Sequence, residues 1–219
     1  NDRIFHPWEG GEGKVTGQYV YSLISLAKRC IQQSEIQAAI DFLKQAEIYP
    51  NNLGEGKLHG AQENDIHYWI GCAYEGLKDV INAQLYWQKA SVGLTEPSAA
   101  IYYNDQQPDK IFYQGLALLK LACTEQAQEI FSKLIDYGKN HINDDVKIDY
   151  FAVSLPDLLI WDDDLVKRNK IHCKYLIGLG NLGFGDISTS QKIFEEILTL
   201  DQTHMGARVH LEMCENSSQ

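Results

Sequence analysis

The sequence predicts an all-α protein, a right-handed α-α superhelix of helical hairpins joined by long loops. One observation behind this prediction is a small residue that recurs every 44 positions, as Ala27, Gly71 and Gly115. A second is that each of these residues is followed by an alanine twelve positions later and by a large apolar residue four positions after that. A related copy begins at Gly178, 63 residues after Gly115. A pattern that recurs at a period of roughly 20–50 residues is typical of stacked repeats.

Each copy of the pattern predicts two antiparallel helices. The small residue lies where the second helix crosses the first, so the two backbones approach closely and the large residue fills the space beside them. That large residue is Leu43, Trp87 or Phe131, and Phe194 in the fourth copy, where Ser190 replaces the alanine. The predicted helix pairs are 14–33 with 35–49, 65–77 with 79–93, 109–122 with 124–138, and 164–184 with 186–200. We expect one domain over 1–219, with repeats over 14–50, 65–94, 109–138 and 164–201 and a capping helix over 205–215.

Spacing and residue types resemble the tetratricopeptide repeat, which has a period of about 34 residues and alternates small and aromatic positions. The resemblance is strongest at Tyr74, Ala83, Trp87 and Ala90. The roughly ten additional residues in each period are interpreted as loops inserted between the units. A generic helical bundle is the alternative architecture.

Composition and charge restrict the possible partners. The chain has 19 basic and 30 acidic residues and a net charge of −11, which disfavours nucleic acids and anionic membrane surfaces. Its five cysteines form no C-x-x-C pair and are expected to be free thiols in the helices. We therefore expect a soluble, cytoplasmic protein without a cofactor or bound metal. The sequence starts at Asn1, and we expect it to be one module of a longer protein.

Long loops precede the first helix of each unit and are predicted to lie side by side along one edge of the stack. They span 6–14, 52–65, 95–109 and 138–164, and the first two share the sequence Gly-Glu-Gly-Lys. Aromatic rings beside carboxylates and amides suit an extended peptide or a polyhydroxylated ligand. The predicted contact residues are Trp8, Glu12, Glu55, His59, Asn64, Tyr103, Asn104, Asp105, Tyr150 and Trp161.

Structural roles are the alternative for many of these polar residues. Asn64, Asp65, Asp109 and Asp164 stand where helices are predicted to begin, and such residues often cap helices. The run 162–164 consists of three aspartates, which the helix dipole explains without a metal ion. The Gly-Glu-Gly-Lys segments do not match a phosphate-binding loop, and the motifs of metalloenzymes and serine hydrolases are absent from the sequence.

The loops themselves carry a family resemblance. The segments concerned are HPWEGGEGKVTGQY, NLGEGKLHGAQENDIHYWIGCAYE, YYNDQQPDKIFYQGLALLKL and KIDYFAVSLPDLLIWDDDL. They resemble the C-terminal tetratricopeptide region of large bacterial proteins whose N-terminal part is a β-rich domain of unknown function, often connected with carbohydrates. The resemblance covers nearly the whole chain. It implies an architecture and a neighbouring domain, and it supplies no catalytic residue.

Our leading hypothesis for function is a non-catalytic interaction module. It would bind a protein, or the parent chain's own N-terminal domain, through a concave groove and the loop edge. The rival hypothesis is a carbohydrate-binding or glycoside-processing site that uses paired carboxylates such as Glu55 and Asp163. A third hypothesis is a plain spacer between domains, which predicts no free groove.

Overall fold

The computed structural model describes residues 4–6, 13–99, 105–146 and 164–217. Within these ranges the chain forms nine α-helices, a 3-10 turn over Asn51–Leu53 and no β-strand, which confirms the predicted all-α class. The helices are α1 (Lys14–Gln32), α2 (Ile36–Ala46), α3 (Asn64–Gly76), α4 (Val80–Ala90), α5 (Pro108–Lys120), α6 (Thr124–His141), α7 (Leu165–Gly183), α8 (Ile187–Leu200) and α9 (Met205–Ser217).

Consecutive helices pack against each other in the order of the chain. Helices α1 and α2, α3 and α4, α5 and α6, and α7 and α8 form four hairpins, and each hairpin also contacts the next. The first helices of neighbouring hairpins touch as well, from α1 to α3, α5, α7 and finally α9. This arrangement confirms the predicted solenoid of stacked hairpins.

The small recurring residue lies at the crossing point inside each hairpin. A Cβ added to Gly71 would collide with the ring of Trp87, one added to Gly115 with Phe131, and one added to Gly178 with Phe194. In the first hairpin, Ala27 and Leu43 are both fully buried. The close approach predicted from the 16-residue offset is therefore present, and it explains why these positions hold glycine or alanine.

The turn inside each hairpin also repeats. Ser34, Lys78 and Ala122 have φ angles of 63°, 60° and 61°, and Gly185 takes the same place in the fourth hairpin with a φ of 81°. These left-handed conformations cost little for glycine and more for residues with a Cβ. The turn is thus kept through the array although only one copy uses the residue best suited to it.

Three predicted helix ends are wrong by three residues. Helices α2 and α4 end at Ala46 and Ala90, before the predicted residues 49 and 93. The long loop was expected to start at residue 138, but α6 continues to His141. The cause lies at Gly138, which is buried against α7, where a Cβ would meet the carbonyl oxygen of Cys173 and the side chain of Ile177. Packing between two hairpins extends the helix, although glycine is a poor helix former.

The core follows the hairpins from end to end in two clusters. One includes Val20, Leu43 and Ile70, and the other includes Phe112, Phe131 and Leu176. The five cysteines are free, and burial raises the pKa of Cys72, Cys173 and Cys214 to about 11. No helix in the described part of the chain has the length and apolar content needed to cross a bilayer.

Candidate binding groove

A groove of about 1140 Å³ runs along the first helices of the hairpins. Side chains from α1, α3, α5, α7 and α9 line it, together with the loop over 54–63 that precedes α3. The volume is slightly above the range for small-molecule pockets, roughly 300–1,000 Å³. A groove of this size has room for a segment of polypeptide.

The groove wall follows the same repeat register as the core. Tyr21, Asp65, Asp109 and His172 each stand six residues before the small residue of their hairpin, and all four line the groove. Six residues is a little under two helical turns, so this side chain lies on a different face from the packing position. One register position therefore supplies the wall with four polar side chains of three kinds.

At the centre of the wall, Lys110 lies between two carboxylates. Its Nζ is 2.5 Å from Asp65 Oδ2 and 3.7 Å from Asp109 Oδ2. Burial opposes the charge of Lys110, but the two aspartates outweigh it and raise the pKa of the amine above its ordinary value. Lys110 is therefore charged at neutral pH, and the three groups together carry one net negative charge.

Beside this cluster, α7 and α9 contribute a tyrosine and a histidine. Tyr175 Oη is 3.1 Å from His210 Nδ1, which is also 2.7 Å from the carbonyl oxygen of Gly206. A Cβ at Gly206 would collide with the Tyr175 ring, so the glycine allows the two helices to approach. Burial lowers the pKa of His210 to about 3, and the imidazole is neutral at pH 7.

A carboxylate on the last helix, α9, influences the pKa values of two side chains on the first helix, α1. Burial raises the pKa of Tyr21 on α1, and the carboxylate of Glu212 on α9 raises it further. Burial lowers the pKa of Lys28, while Glu212 opposes that shift. Lys28 Nζ also lies 5.2 Å from the ring centroid of Trp69, within cation–π range. The two ends of the helix array are thus electrostatically coupled.

The loop over 54–63 is attached to the start of α1 by Glu55. Both carboxylate oxygens of Glu55 accept from the backbone N–H of Gly13 at 3.1 Å, and Oε2 also accepts from Thr16 Oγ1 at 2.9 Å. A carboxylate at a helix N-terminus satisfies unpaired amides and interacts well with the helix dipole. Glu55 therefore fixes the loop as one side of the groove.

Neighbouring loops are also joined to each other. Gln62 Nε2 donates to the Asp105 carbonyl at 3.0 Å, and the Gln107 N–H donates back to Gln62 Oε1 at 3.0 Å. The loops before α3 and α5 consequently lie side by side, as the repeat pattern predicts. The connection consists of hydrogen bonds between the Gln62 side-chain amide and backbone groups of the next loop.

The structure locates four of the ten predicted contact residues. Glu55 and His59 line the groove, and Asn64 and Asp105 lie next to it without lining it. The other six predicted residues lie outside the described ranges, and for all ten residues contact with a ligand stays a prediction. They are Trp8, Glu12, Tyr103, Asn104, Tyr150 and Trp161.

Structural roles are visible for two residues that the sequence left open. Asp164 caps α7 by accepting from the Lys167 N–H at 3.0 Å. Asn64 does not cap its own helix. Its Nδ2 donates to the carbonyls of Ala90 and Val92, both at 2.9 Å, and so satisfies acceptors at the end of α4.

Sequence reasoning missed most of the groove wall because it concentrated on the loops. Lys110, Tyr113, Arg168, Tyr175 and His210 belong to helices and were not among the predicted contacts. The repeat register already contained the signal for part of this set, since Tyr21, Asp65, Asp109 and His172 recur at one offset. The α9 residues carry no such signal, because α9 has no repeat partner.

The described residues contain no cluster of three or more histidine, cysteine or acidic side chains placed to hold a metal ion. The groove offers instead hydrogen-bond acceptors, aromatic rings and a charged centre. Such a surface can bind and orient an extended, polar ligand.

Fold and groove together define a helical-repeat solenoid with a polar, aromatic concave face. No family model matches the chain. Among solved structures it is similar to MamA, residues 41 to the end, from Desulfovibrio magneticus RS-1, with 14% identity over 91% of this chain and 85% of that chain and a TM-score of 0.30. A MamA RS-1 ArsTM double mutant gives 14% identity, coverage of 92% and 85%, and the same TM-score.

Proposed function

We propose that this chain is a non-catalytic interaction module that binds an extended segment of a partner protein in its groove. The observation that carries the proposal is the unbroken contact of α1, α3, α5, α7 and α9, whose exposed faces form one wall. The partner is a separate protein or the N-terminal domain of a longer parent chain.

The character of the wall supports recognition of a polypeptide. Tyr21, Tyr49, Tyr113 and Tyr175 all line the groove, and tyrosine combines a large apolar face with a hydrogen-bonding hydroxyl. Carboxylates, ammonium groups and amides line the same groove. Extended peptides present both apolar side chains and backbone polar groups, so they match this combination.

A binding role also agrees with how the acidic groups are engaged. Glu55 is committed to the start of α1, and Asp65 is paired with Lys110. Asp163, the predicted partner of Glu55 in a glycoside-processing site, lies outside the described residues. We therefore propose binding without catalysis.

The test uses a blocked groove. Gly17 lies on α1, lines the groove, and has no atom within 4 Å of the place its Cβ would take. Gly17→Trp should fill the groove and preserve the fold, because glycine is the weaker helix former. Ser22→Trp is the matched control, since Ser22 is exposed on the same helix and does not line the groove.

A displayed library of random 12-residue peptides would be selected on the unmodified protein, and the enriched peptides tested against both variants. We expect Gly17→Trp to weaken binding at least tenfold and Ser22→Trp to leave it unchanged, with equal thermal melts. Peptides that bind the Gly17→Trp protein as well as the unmodified protein would show that the groove is not the binding site. A selection without enrichment would count against a peptide ligand altogether.

A further inference from the structure

Asp65 has a buried carboxylate oxygen with no hydrogen-bond partner among the described residues. Its Oδ2 pairs with Lys110, whereas Oδ1 is buried and accepts no bond. Asp65 lines the groove and is only 7% exposed. A buried acceptor without a donor destabilises the unliganded state. Because χ2 of aspartate is a broad torsion, we expect a small rotation about it to bring Oδ1 within reach of a donor in the groove.

His210 supplies a second buried acceptor. A carbonyl oxygen can only accept, so the short contact with Gly206 O places the imidazole hydrogen on Nδ1. In the neutral ring, Nε2 then carries a lone pair. Nε2 is buried and no donor reaches it in the part of the chain that the structure describes. Both unsatisfied atoms are therefore acceptors, and a ligand that satisfies them must supply hydrogen-bond donors.

Charge distinguishes between a neutral donor and a cation. Four carboxylates line the groove, from Glu55, Glu63, Asp65 and Asp109, against three cationic side chains, from Lys14, Lys110 and Arg168. The cluster of Asp65, Asp109 and Lys110 keeps a net negative charge, and the whole chain carries −11. A further cation at this cluster neutralises it, so a charged donor is favoured over a neutral one.

The surroundings of the cluster favour a long cationic side chain over the amino terminus of a peptide. Tyr113 and Tyr175 line the groove next to the cluster and can contact aliphatic carbons. The groove continues on one side to α1 and its loop, and on the other side to α7 and α9. A segment that crosses the cluster thus presents a side chain from its middle.

We propose that the groove recognises a lysine side chain of the bound segment, whose ammonium group binds at the groove side of the cluster formed by Asp65, Asp109 and Lys110 and donates to Asp65 Oδ1. A neighbouring N–H of the same segment donates to His210 Nε2. This inference rests on the proposed function and specifies the ligand of the same groove.

The experiment uses the peptides whose binding depends on an open groove at Gly17. Each peptide is synthesised with an acetylated amino terminus in two forms. One form keeps its lysine, and in the other the lysine is replaced by norleucine, whose four-carbon side chain lacks the amine. We expect the norleucine peptides to bind at least tenfold more weakly. Asp65→Asn should weaken the lysine peptides to a similar extent and leave the norleucine peptides unaffected. Asp109→Asn provides a second test if Asp65→Asn does not fold.

The outcomes separate this inference from the proposed function. Peptides that depend on Gly17 but bind within threefold as norleucine forms would overturn the lysine inference and leave the groove as the binding site. Binding that requires a free amino terminus would also overturn the lysine inference and leave the groove as the binding site. If no enriched peptide depends on Gly17, the proposed function itself is wrong.

Discussion

The helices that line the groove present two contrasting faces. On the face toward the second helix of each hairpin, one solution repeats, with a small residue against Trp87, Phe131 or Phe194. On the groove face, one register position holds a tyrosine, two aspartates and a histidine in turn. The packing face is fixed by the need for close contact. The groove face is free of that constraint, and its residues differ from unit to unit.

This contrast separates what holds the array together from what the array presents to a partner. Loss of a packing contact should reduce stability wherever it occurs. Loss of a groove residue should change stability by an amount that depends on the contacts of that particular residue. Four pairs of substitutions test this distinction, beginning with the largest expected effect.

Lys110→Met should cost about 3 kcal/mol at pH 7, because it leaves the buried Asp65 carboxylate without its counterion. Urea denaturation at pH 7 would measure the loss. Lys133→Met removes a cation from an exposed pair with Glu96 and should cost less than about 1 kcal/mol. Equal losses for the two variants would contradict a buried ion pair in the groove wall.

Gly115→Ala should cost about 2 kcal/mol, because the added methyl group collides with the Phe131 ring. Gly17→Ala is the matched control on the groove face, where the added Cβ meets open space. There the better helix propensity of alanine should stabilise by up to about 1 kcal/mol. Thermal unfolding of the two variants should therefore shift in opposite directions, and shifts of the same sign would contradict the contrast between the faces.

His210 should make stability depend on pH. Its folded pKa of about 3 lies below the ordinary value of about 6.5, so the unfolded chain binds the proton first as pH falls. Stability should fall by roughly 2 kcal/mol between pH 7 and pH 5 from this residue alone. His210→Leu should remove that part of the slope in urea titrations. His59→Leu, at an exposed position, should retain it, and an unchanged slope in His210→Leu would disprove the assignment.

The turn residues should give the smallest effects. Ala122 has a φ of 61°, and Ala122→Gly should stabilise by about 0.5–1 kcal/mol through relief of backbone strain. Gly185 occupies the same place with a φ of 81°, and Gly185→Ala should destabilise by a similar amount. Thermal melts of both variants would check the pair. A loss of stability in Ala122→Gly would show that the turn is not strained.

The packing face could be predicted from the sequence because its constraint repeats. Gly115 and Phe131 occur at the same offset as Gly71 and Trp87, and one steric reason covers both pairs. The extension of α6 through Gly138 could not be predicted, because it depends on a contact with α7 that has no counterpart in the first two units. Local sequence describes a helix poorly when a neighbouring helix decides where it ends.

The location of the groove could be predicted from the sequence better than the contacts within it. Asp65 was correctly placed at a helix start, but its pairing with Lys110 connects two hairpins and appears only once they are stacked. The contact between Tyr175 and His210 joins α7 to the unrepeated α9. Glu55 was predicted as a contact residue, and its engagement at Gly13 depends on a left-handed glycine 42 positions away.

The bond between Glu55 and the start of α1 bears on how the array unfolds. Linear arrays usually lose their end units first, since an end unit has one neighbour and each unit contributes its own stability. Here the amide at the start of the first unit is held by a residue of the connection into the second. Fraying at this end therefore requires a break between units as well as within one. The bond raises cooperativity between the first two hairpins and protects the end where the groove begins.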